Sequence, residues 1–433
     1  QVRRGWNRLI DQHPALILVA ANSQDVVAGV RFAREAGLGM GVQGTGHGVQ
    51  HPADDHLLIV TSRMNAAHVD VQQQTARVEA GAIWKHVLDQ ATPHGLAPLL
   101  GTAPHVGVVG YTLGGGIGRL GRRYGFAADS VRWIDLVTAD GMLRRASPTE
   151  HSDLFWGLRG GGGSFGVVTA MEFSLYPVAT LFGGSLTYPG ELAGDALRFF
   201  REWTKTVPDA LTSSLMIVKF PALPQVPEAM RGQKQVVVRT AFAGASAQGE
   251  ALMQPWLDWH TPLGNTLHEM PFSEVGTIQN DPVDPALAYA SNEMLNDLSD
   301  EAIDVIVRHA TDGATPVVFI ELRHAGGALS RSSGNAIGDR GASFYMQMGG
   351  PIFALGRRAA MESAIRQCKQ DLHPYLPGGV YLNFLSGDEA RQRTRDAYEP
   401  ATYERLLALK ARYDPGNRFL FSYLLSAPGS VHP

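Results

Sequence analysis

Glycine is crowded into three short segments of the chain, all within its first 178 residues. The segments cover 36–48, 101–125 and 157–166 and contain the runs "GTGHG", "LGGGIG" and "RGGGGSFG". Because glycine has no Cβ, backbone N–H groups in such runs can contact a phosphate-bearing ligand. Tight turns alone rarely need three such clusters, so we interpret them as loops that hold a nucleotide cofactor. The alternative is that the glycines only form turns and that His47 is a solvated loop residue.

One cluster imitates the Rossmann fingerprint. Gly116, Gly118 and Gly121 form G-x-G-x-x-G, and Asp135 follows at nearly the spacing of a ribose-binding acid. Only about ten residues separate Gly121 from the next predicted strand, too few for the crossover helix of a βαβ unit. The sequence therefore argues against a Rossmann turn.

The histidines of the first cluster raise a second alternative, a metal site. His47, His51 and His56 offer imidazole ligands, with two aspartates between the last two. Histidines four residues apart converge on a helix, and the surrounding glycines together with Pro52 oppose one. We therefore expect no metal, and a metal-dependent hydrolase using these histidines stays a disfavoured alternative.

Charge and hydropathy exclude further classes of protein. The 433 residues are 44% hydrophobic, enough for a large core in two or three domains. The 37 basic and 41 acidic residues leave a formal net charge of −4, and without a basic stripe we expect no nucleic-acid partner. The longest apolar runs, such as 15–21, fall far short of the roughly 20 residues that cross a bilayer. A lone cysteine, Cys368, excludes an intramolecular disulfide.

Hydrophobic periodicity changes at about residue 178. Before it, a helix beginning at the predicted N-cap Ser23 is followed by short strands, hairpins and a helix at 82–96. After it, longer strands alternate with amphipathic helices, which predicts an α+β unit built on one sheet. The predicted strands cover 214–220, 235–244, 316–327, 343–350 and 379–385, and the predicted helices cover 192–206, 248–258, 300–311, 357–372 and 388–412.

Five segments that together span most of the chain carry a family resemblance. They are "ANSQDVVAGVRFAREAGLGMGVQGTGHG", "GTAPHVGVVGYTLGGGIGRLGRRYG", "LFWGLRGGGGSFGVVTAMEF", "VYLNFL" and "YERLLALKARYDPGNRF". They resemble the berberine-bridge-enzyme-like flavoproteins of the vanillyl-alcohol-oxidase group. The resemblance implies an α+β fold with a two-part, PCMH-type FAD-binding domain and a substrate domain whose large antiparallel sheet is flanked by helices. It places the FAD-binding domain at 1–178, the substrate domain at 179–387, and at 388–433 a C-terminal segment that returns to the FAD-binding domain.

The resemblance also implies how the cofactor is held. In this family a histidine of the first glycine loop is bonded to the 8α-methyl of the flavin, and the matching residue is His47. A neutral imidazole is a good nucleophile near neutral pH, which suits such a bond. Some members add a second bond from a cysteine, but Ala103 stands at that position, so we expect FAD tethered only through His47. Gln43 and Ser164 replace an arginine and an asparagine that are common in the family.

The resemblance assigns cofactor contacts to the glycine loops and to one later segment. The residues are Gln43, Gly44, Thr45, Gly46, His47, Gly48, Gly101, Thr102, Val106, Gly107, Gly110, Gly114, Gly115, Gly116, Gly118, Gly163, Gly166, Val167, Tyr381 and Asn383.

Catalytic roles are assigned to Val106, Tyr381, Asn383 and Glu321. In the family, valine at the position of Val106 accompanies oxidases and leucine accompanies dehydrogenases, since the smaller side chain leaves room for dioxygen. Tyr381 and Asn383 lie two apart on a predicted strand and so share a face; Tyr381 is the candidate base or substrate orienter and Asn383 a partner of the flavin ring. An unperturbed tyrosine has a pKa of about 10, so as a base it needs a nearby cation or a relay.

Two further positions have open alternatives. Glu321 shares a strand face with Arg323, and the two either line the substrate pocket or form a surface ion pair. His105 is a candidate polar contact near the flavin. Tyr381 is alternatively a buried structural tyrosine.

The sequence thus predicts an FAD-dependent oxidase that transfers a hydride from an alcohol or amine carbon of a small organic substrate to FAD and then to dioxygen, giving hydrogen peroxide. The alternatives are a dehydrogenase with another electron acceptor and a non-catalytic flavin-binding protein. We expect a small-molecule substrate and dioxygen as partners, and neither nucleic acid nor membrane. We expect a soluble, cytoplasmic protein, with secretion left open because the sequence begins at Gln1 rather than at Met.

Overall fold

The computed structural model describes residues 2–224, 226–353 and 355–423. Its strands are β1 Leu16–Val19, β2 Met40–Gln43, β3 Leu57–Val60, β4 Ala67–Asp70, β5 Thr75–Glu79, β6 Leu96–Ala97, β7 Val131–Val137, β8 Leu143–Ala146, β9 Val167–Ser174, β10 Tyr176–Pro177, β11 Thr180–Pro189, β12 Leu211–Lys219, β13 Lys234–Phe242, β14 Gly264–Asn265, β15 His268–Pro271, β16 Ala288–Leu295, β17 Phe319–His324 and β18 Phe344–Pro351. Its α-helices are α1 Ser23–Glu35, α2 Trp84–Ala91, α3 Val108–Leu113, α4 Gly121–Tyr124, α5 Ser152–Leu158, α6 Ala193–Thr204, α7 Ser246–Trp259, α8 Asp300–Thr311, α9 Arg358–Leu372, α10 Glu389–Gln392 and α11 Pro400–Tyr413.

The first sheet is parallel, with strand order β1-β3-β2, and α1 covers it. Asn22 caps α1, because its side-chain oxygen accepts hydrogen bonds from the N–H groups of Gln24 and Asp25. The predicted cap Ser23 is instead the first helical residue. Valines spaced three and four apart on α1, among them Val26 and Val30, are fully buried against the sheet.

A second, antiparallel sheet has the order β4-β5-β9-β7-β8. Both of its predicted hairpins are present. Gln74 and Gly141 supply the positive φ that the two turns require, at 51° and 76°. Trp84 of α2 is buried in the core on this sheet.

The eight-stranded sheet is antiparallel, with the order β14-β11-β13-β12-β17-β18-β16 and with β15 also paired to β11. Alternate residues of its strands pack into one core with α6, α7, α8 and α9. These inward residues include Leu215, Ile217, Val236, Val238, Ile320, Leu322, Met346 and Met348. The intervening residues face away from the helices, towards the glycine loops.

The end of the chain returns to the first half. Lys410 of α11 donates from Nζ to the Ser164 carbonyl at 3.0 Å, and Arg412 pairs with Asp153 at 2.7 Å. The domain division expected for 388–433 stays a prediction, and the last ten residues lie outside the described part of the chain.

The last predicted helix differs in detail from the structure. The charged helix expected at 388–412 is broken into α10, a 3₁₀ turn at Thr394–Ala397, and α11. The break falls before Pro400, because proline lacks the N–H that a helix interior needs and is tolerated in the first turn. Within the described ranges, no helix is both long and apolar enough to cross a membrane.

Candidate functional site

A cavity of about 680 Å³ lies between the glycine loops and the eight-stranded sheet. One wall consists of residues 42–50, the loop 101–110 and the glycines near 163. The opposite wall is the sheet face turned away from the helices, with Met216, Arg239, Glu321 and Arg323. Residues 381–384 and 419–423 also line it. The two halves of the chain therefore build this cavity jointly.

His47 is held on the cavity wall by its ring neighbours. Its ring stacks on Trp6, with centroids 4.8 Å apart and planes 13° apart, and lies 5.2 Å from the ring of His105. Nδ1 contacts Thr45 Oγ1 at 2.8 Å, whereas the buried Nε2 has no hydrogen-bond partner among the described residues. Burial, and secondarily His105, lowers the pKa of His47 to about 4. The imidazole is therefore neutral at neutral pH.

Close backbone approach fixes this loop. Gly46 has φ 74°, and a Cβ on it would lie 2.2 Å from the Cα of Gly5. Only glycine allows the first residues of the chain to pass so close to the loop.

Tyr381 and Asn383 meet beside the loop that follows α3. The Tyr381 hydroxyl accepts a hydrogen bond from the Gly116 N–H at 2.7 Å and one from Asn383 Nδ2 at 3.2 Å. Asn383 Nδ2 also donates to the Tyr111 carbonyl at 2.8 Å. Burial raises the pKa of Tyr381 far above its usual range, although the Gly116 N–H opposes that shift. Tyr381 is therefore a neutral phenol.

These two residues are not on a strand, contrary to the expectation for 379–385. Leu382–Phe384 form a 3₁₀ turn, and Tyr381 is the extended residue before it. The backbone N–H of Tyr381 donates to Asn292 Oδ1 at 2.6 Å. It is thus satisfied by a side chain of β16 and not by the backbone of a neighbouring strand.

On the sheet wall, cross-strand register places polar side chains in two adjacent rows. Ser214 of β12 is flanked by Arg239 of β13 and Arg323 of β17. Glu321 is flanked by Met216 on one side and by Gln347 of β18 on the other. These alternate positions form a polar patch on the sheet face turned away from the helices.

Glu321 is buried, with 2% of its surface exposed, and is ionised. Its carboxylate accepts from Ser214 Oγ at 2.9 Å and from Arg323 Nε at 2.9 Å. Burial alone would raise the pKa of Glu321, but Arg323, Arg239 and Arg119 together lower it to about 2. Glu321 and Arg323 thus line the cavity and do not form a surface ion pair.

The residues present fit a flavin nucleotide. A Cβ added at Gly48 or Gly110 would meet no atom within 4 Å, so these glycines leave open space along the wall. His47 Nε2 is an unsatisfied nitrogen on the same wall. Loops without side chains and an unsatisfied ring nitrogen are what a tethered dinucleotide requires.

Comparisons with known proteins agree with this geometry. A family model described as an FAD binding domain matches residues 14–147, and one described as berberine and berberine like matches residues 380–422. An FAD-linked oxidoreductase of Dictyostelium discoideum is 27% identical over 430 residues, covering 96% of this chain and 90% of its own. (R)-6-hydroxynicotine oxidase of Paenarthrobacter nicotinovorans is 27% identical over 465 residues, covering 98% and 94%. The solved structure of glucooligosaccharide oxidase from Acremonium strictum, with 6-S-cysteinyl, 8α-N1-histidyl FAD, superposes with a TM-score of 0.82 at 25% identity, covering 96% and 92%.

Two family models thus describe parts of the chain, an FAD binding domain and a berberine-like segment, and relatives over most of its length are FAD-linked oxidoreductases. The predicted resemblance, the α+β fold with its large antiparallel sheet and the FAD-dependent oxidoreductase class are confirmed.

Most of the expected site residues line the cavity of this oxidoreductase. They are Gln43, Gly44, Thr45, Gly46, His47, Gly48, Gly101, Thr102, Val106, Gly107, Gly110, Gly163, Gly166, Glu321, Tyr381 and Asn383. Their roles remain predictions.

Five expected cofactor contacts lie behind the wall: Gly114, Gly115, Gly116, Gly118 and Val167. The glycines among them allow tight packing of protein against protein. A Cβ on Gly114 would lie 1.9 Å from Asn383 Oδ1, and one on Gly118 would lie 1.7 Å from the Leu100 carbonyl oxygen. Val167 is fully buried in the core beneath the parallel sheet, and its neighbour Val168 lines the cavity instead.

The three histidines considered for metal binding have separate partners. His51 Nδ1 accepts from Arg391 Nε at 3.0 Å, and His56 Nδ1 accepts from the Gly39 N–H at 2.9 Å. The Rossmann alternative is likewise unsupported, because Gly121 opens only the four-residue α4. His105 lines a smaller neighbouring cavity of about 240 Å³, together with Trp6 and His47.

Sequence reasoning missed several residues of the site. Arg239, Asp281, Gln347 and Tyr111 line the cavity. Arg239 had a recognisable signal, since an arginine interrupts the apolar run "QVVVRTAF" and buried arginines are rare unless they bind something. The others lie in segments without such a contrast.

Proposed function

We propose that this oxidoreductase is an oxidase whose FAD is attached through His47 alone and which oxidises an alcohol or amine carbon of a small organic substrate, releasing hydrogen peroxide. The observation that carries the proposal is one cavity with a neutral, unsatisfied imidazole on the loop wall and the Glu321–Tyr381 polar groups opposite. FAD, when bound, accepts the hydride and passes the electrons to dioxygen. The protein supplies attachment, orientation and proton positions.

The state of His47 supports attachment. With a pKa of about 4, the ring keeps a free lone pair at neutral pH, and Thr45 orients the ring through Nδ1. No cysteine supports a second bond. Ala103 lines the cavity at the cysteine position, while burial raises the pKa of Cys368 in α9 to about 12 and leaves that thiol unreactive.

Tyr381 is the proposed substrate orienter and not the base. Its oxygen already accepts two hydrogen bonds, so its own proton is available to donate. Its raised pKa opposes loss of that proton. Asn383, tied to both Tyr381 and the Tyr111 carbonyl, fixes the phenol in place.

Glu321 is the proposed acceptor for the substrate O–H or N–H. A carboxylate offers about four acceptor sites, so it can accept from a substrate while bonded to Ser214 and Arg323. Because its pKa is about 2, it orients the reacting group by a hydrogen bond while remaining ionised.

Val106 supports an oxidase over a dehydrogenase. It lines the cavity, and its backbone is anchored by hydrogen bonds to Ala103 and Trp84. A valine at this anchored position leaves more room for dioxygen than a leucine would.

The attachment is tested by replacing the histidine. Wild-type protein precipitated with acid should give a yellow pellet, and His47→Ala should release its flavin into the supernatant. His94→Ala, at an exposed histidine, serves as the matched control and should keep a yellow pellet. A yellow pellet from His47→Ala would contradict attachment at this residue.

The oxidase activity is tested by reoxidation. Photoreduced wild-type enzyme mixed with air should recover its oxidised flavin spectrum within seconds, and peroxide should form with members of a panel of alcohols and amines. Reoxidation over many minutes would indicate a dehydrogenase, and a panel without any flavin reduction would favour a flavin-binding protein.

A further inference from the structure

Arg239 is a buried cation whose hydrogen-bonding capacity is largely unused. Only 8% of its surface is exposed, and its side chain lines the cavity. Among the described residues, its recorded partners are Met216 Sδ at 3.7 Å and Glu321 Oε1 at 3.8 Å. A sulfur is a weak acceptor, and 3.8 Å exceeds a hydrogen-bond distance. Most of the five N–H donors of this guanidinium therefore have no acceptor within the described ranges of the chain.

The nearest carboxylate is already engaged elsewhere. Glu321 accepts from Arg323 and Ser214 at 2.9 Å each, so its closest pairing is with Arg323. Asp281, the other acid on the cavity wall, accepts from Thr102 Oγ1 at 2.5 Å. The pairing of Arg239 with Glu321, at 3.8 Å, is therefore longer than that of Arg323, at 2.9 Å.

The charges of this region leave one positive charge in excess. Arg119, Arg239 and Arg323 interact electrostatically with Glu321 and Asp281, so three positive charges face two negative ones, a net of +1. An excess buried positive charge is costly unless an anion pairs with it, so this region favours a bound anion.

We propose that the substrate carries a carboxylate, which binds the free edge of the Arg239 guanidinium. A single carboxylate matches the excess charge, and its two oxygens match the planar fork of arginine. Met216 beside it, and Phe319 farther along the same cavity wall, give the remainder of the substrate an apolar surface. The substrate of the proposed oxidase is then a hydroxy or amino organic acid; this inference rests on the proposed function.

Arg323 links this carboxylate site to the place of reaction. Its guanidinium lies 4.9 Å from the ring centroid of Phe384, which in turn packs edge-on against Tyr381 at 4.9 Å. The row Arg239–Ser214–Arg323 thus runs across the sheet from the free cation towards the phenol. A substrate held at Arg239 lies along this row with its other end near Tyr381.

The test is binding of a charged and an uncharged probe of the same shape. Benzoate and benzamide are titrated into the holoenzyme by calorimetry, a readout that does not require turnover. Benzoate should bind roughly ten- to hundredfold more tightly, the range expected for a buried charged hydrogen bond. Arg239→Gln should abolish this preference, Arg239→Lys should retain part of it, and Arg366→Gln, at an exposed arginine of α9, should leave it unchanged.

Equal affinity for the two probes in wild type, no binding of either, or a preference that persists in Arg239→Gln would overturn the inference. If Arg239→Gln fails to fold, the proposal is still tested by the relative affinities of benzoate and benzamide for the wild-type protein and for Arg239→Lys. A failure of the carboxylate site can be distinguished from a failure of the proposed oxidase function. A benzoate preference without peroxide from any substrate counts against the oxidase alone, while peroxide from neutral alcohols without a benzoate preference counts against the carboxylate site alone.

Discussion

His51, which is buried, and His324, which is half-buried, both act as hydrogen-bond acceptors. His51 Nδ1 accepts from Arg391 Nε, and His324 Nε2 accepts from Arg122 Nη1 at 2.8 Å. A ring nitrogen can accept only when it is unprotonated. Burial, reinforced by each arginine, lowers the pKa of His51 to about 4 and that of His324 to about 3. Both residues join segments that are far apart in the chain.

These histidines predict an acid-sensitive fold. The unfolded chain takes up protons at histidine below about pH 6.5, whereas the folded rings resist protonation until about pH 4 or lower. The unfolded state therefore binds more protons in this window, and the free energy of unfolding should fall as the pH falls from about 6.5 to 4. Urea unfolding at several pH values measures this slope.

His324→Gln should flatten that slope, because glutamine still accepts from Arg122 but does not titrate. The reduction should reach at most about 1.4 kcal/mol per pH unit, the contribution of one proton. The exposed His94→Gln should leave the slope unchanged. Parallel curves for wild type and His324→Gln would show that His324 does not carry the effect.

Among the loops, "LGGGIG" serves packing more than ligand binding. Gly114 makes room for Asn383, and Gly116 donates its N–H to Tyr381. Gly118 abuts the Leu100 carbonyl so closely that a Cβ would lie 1.7 Å from the oxygen. The segment positions residues 381–383 by close backbone contact.

Gly118→Ala should accordingly destabilise the protein by at least about 2 kcal/mol, because the added methyl meets a backbone atom that cannot rotate away. Gly313→Ala is the control, since a Cβ there meets nothing within 4 Å. Chemical denaturation of both variants gives the difference. Equal midpoints would mean that the loop relaxes freely.

Strongly periodic elements were predictable, and those shaped by distant partners were not. The predicted helix 300–311 is α8, and the predicted strand 235–244 corresponds to β13. Strand β11 was missed because adjacent glycines at 183 and 184 mask its pattern. Strand β16 was missed because Asn292 and Glu293 are polar yet buried, and Glu293 pairs with Arg393, 100 residues away.

Across the whole molecule, the last helix holds the glycine-rich half together. Lys410 and Asp414 form a buried ion pair at 2.6 Å, with side chains 2% and 0% exposed. Lys410 Nζ also donates to the carbonyls of Ser164 and Phe419. Burial lowers the pKa of Lys410, and Asp414 opposes that shift. The site is likewise assembled from segments that are far apart in the sequence. Sequence reasoning identified the glycine loops, which are local patterns, but missed Arg239, whose neighbours come from three other strands.

Two ion pairs with the same i,i+4 spacing, one buried and one exposed, test how much burial increases the loss of stability when a pair is broken. Lys410→Met leaves Asp414 charged and unpaired in the interior and should cost about 3–5 kcal/mol. Lys85→Met breaks the exposed Lys85–Asp89 pair and should change stability by less than about 0.5 kcal/mol. Urea unfolding of the two variants measures both values. A similar loss from each would show that the Lys410 pair acts no differently from a surface pair.

Along each strand of the eight-stranded sheet, residues that face the helices alternate with residues that face the cavity, and the two sets tolerate substitution differently. Residues turned to the helices, such as Leu215 and Ile320, are constrained by the core, whereas their neighbour Glu321 lines the cavity and is hydrogen-bonded to Ser214 and Arg323. Substitutions on the cavity side can therefore change the accepted molecule without repacking a helix. A lineage built on this sheet can diversify its chemistry at a few alternate positions while inheriting its architecture intact.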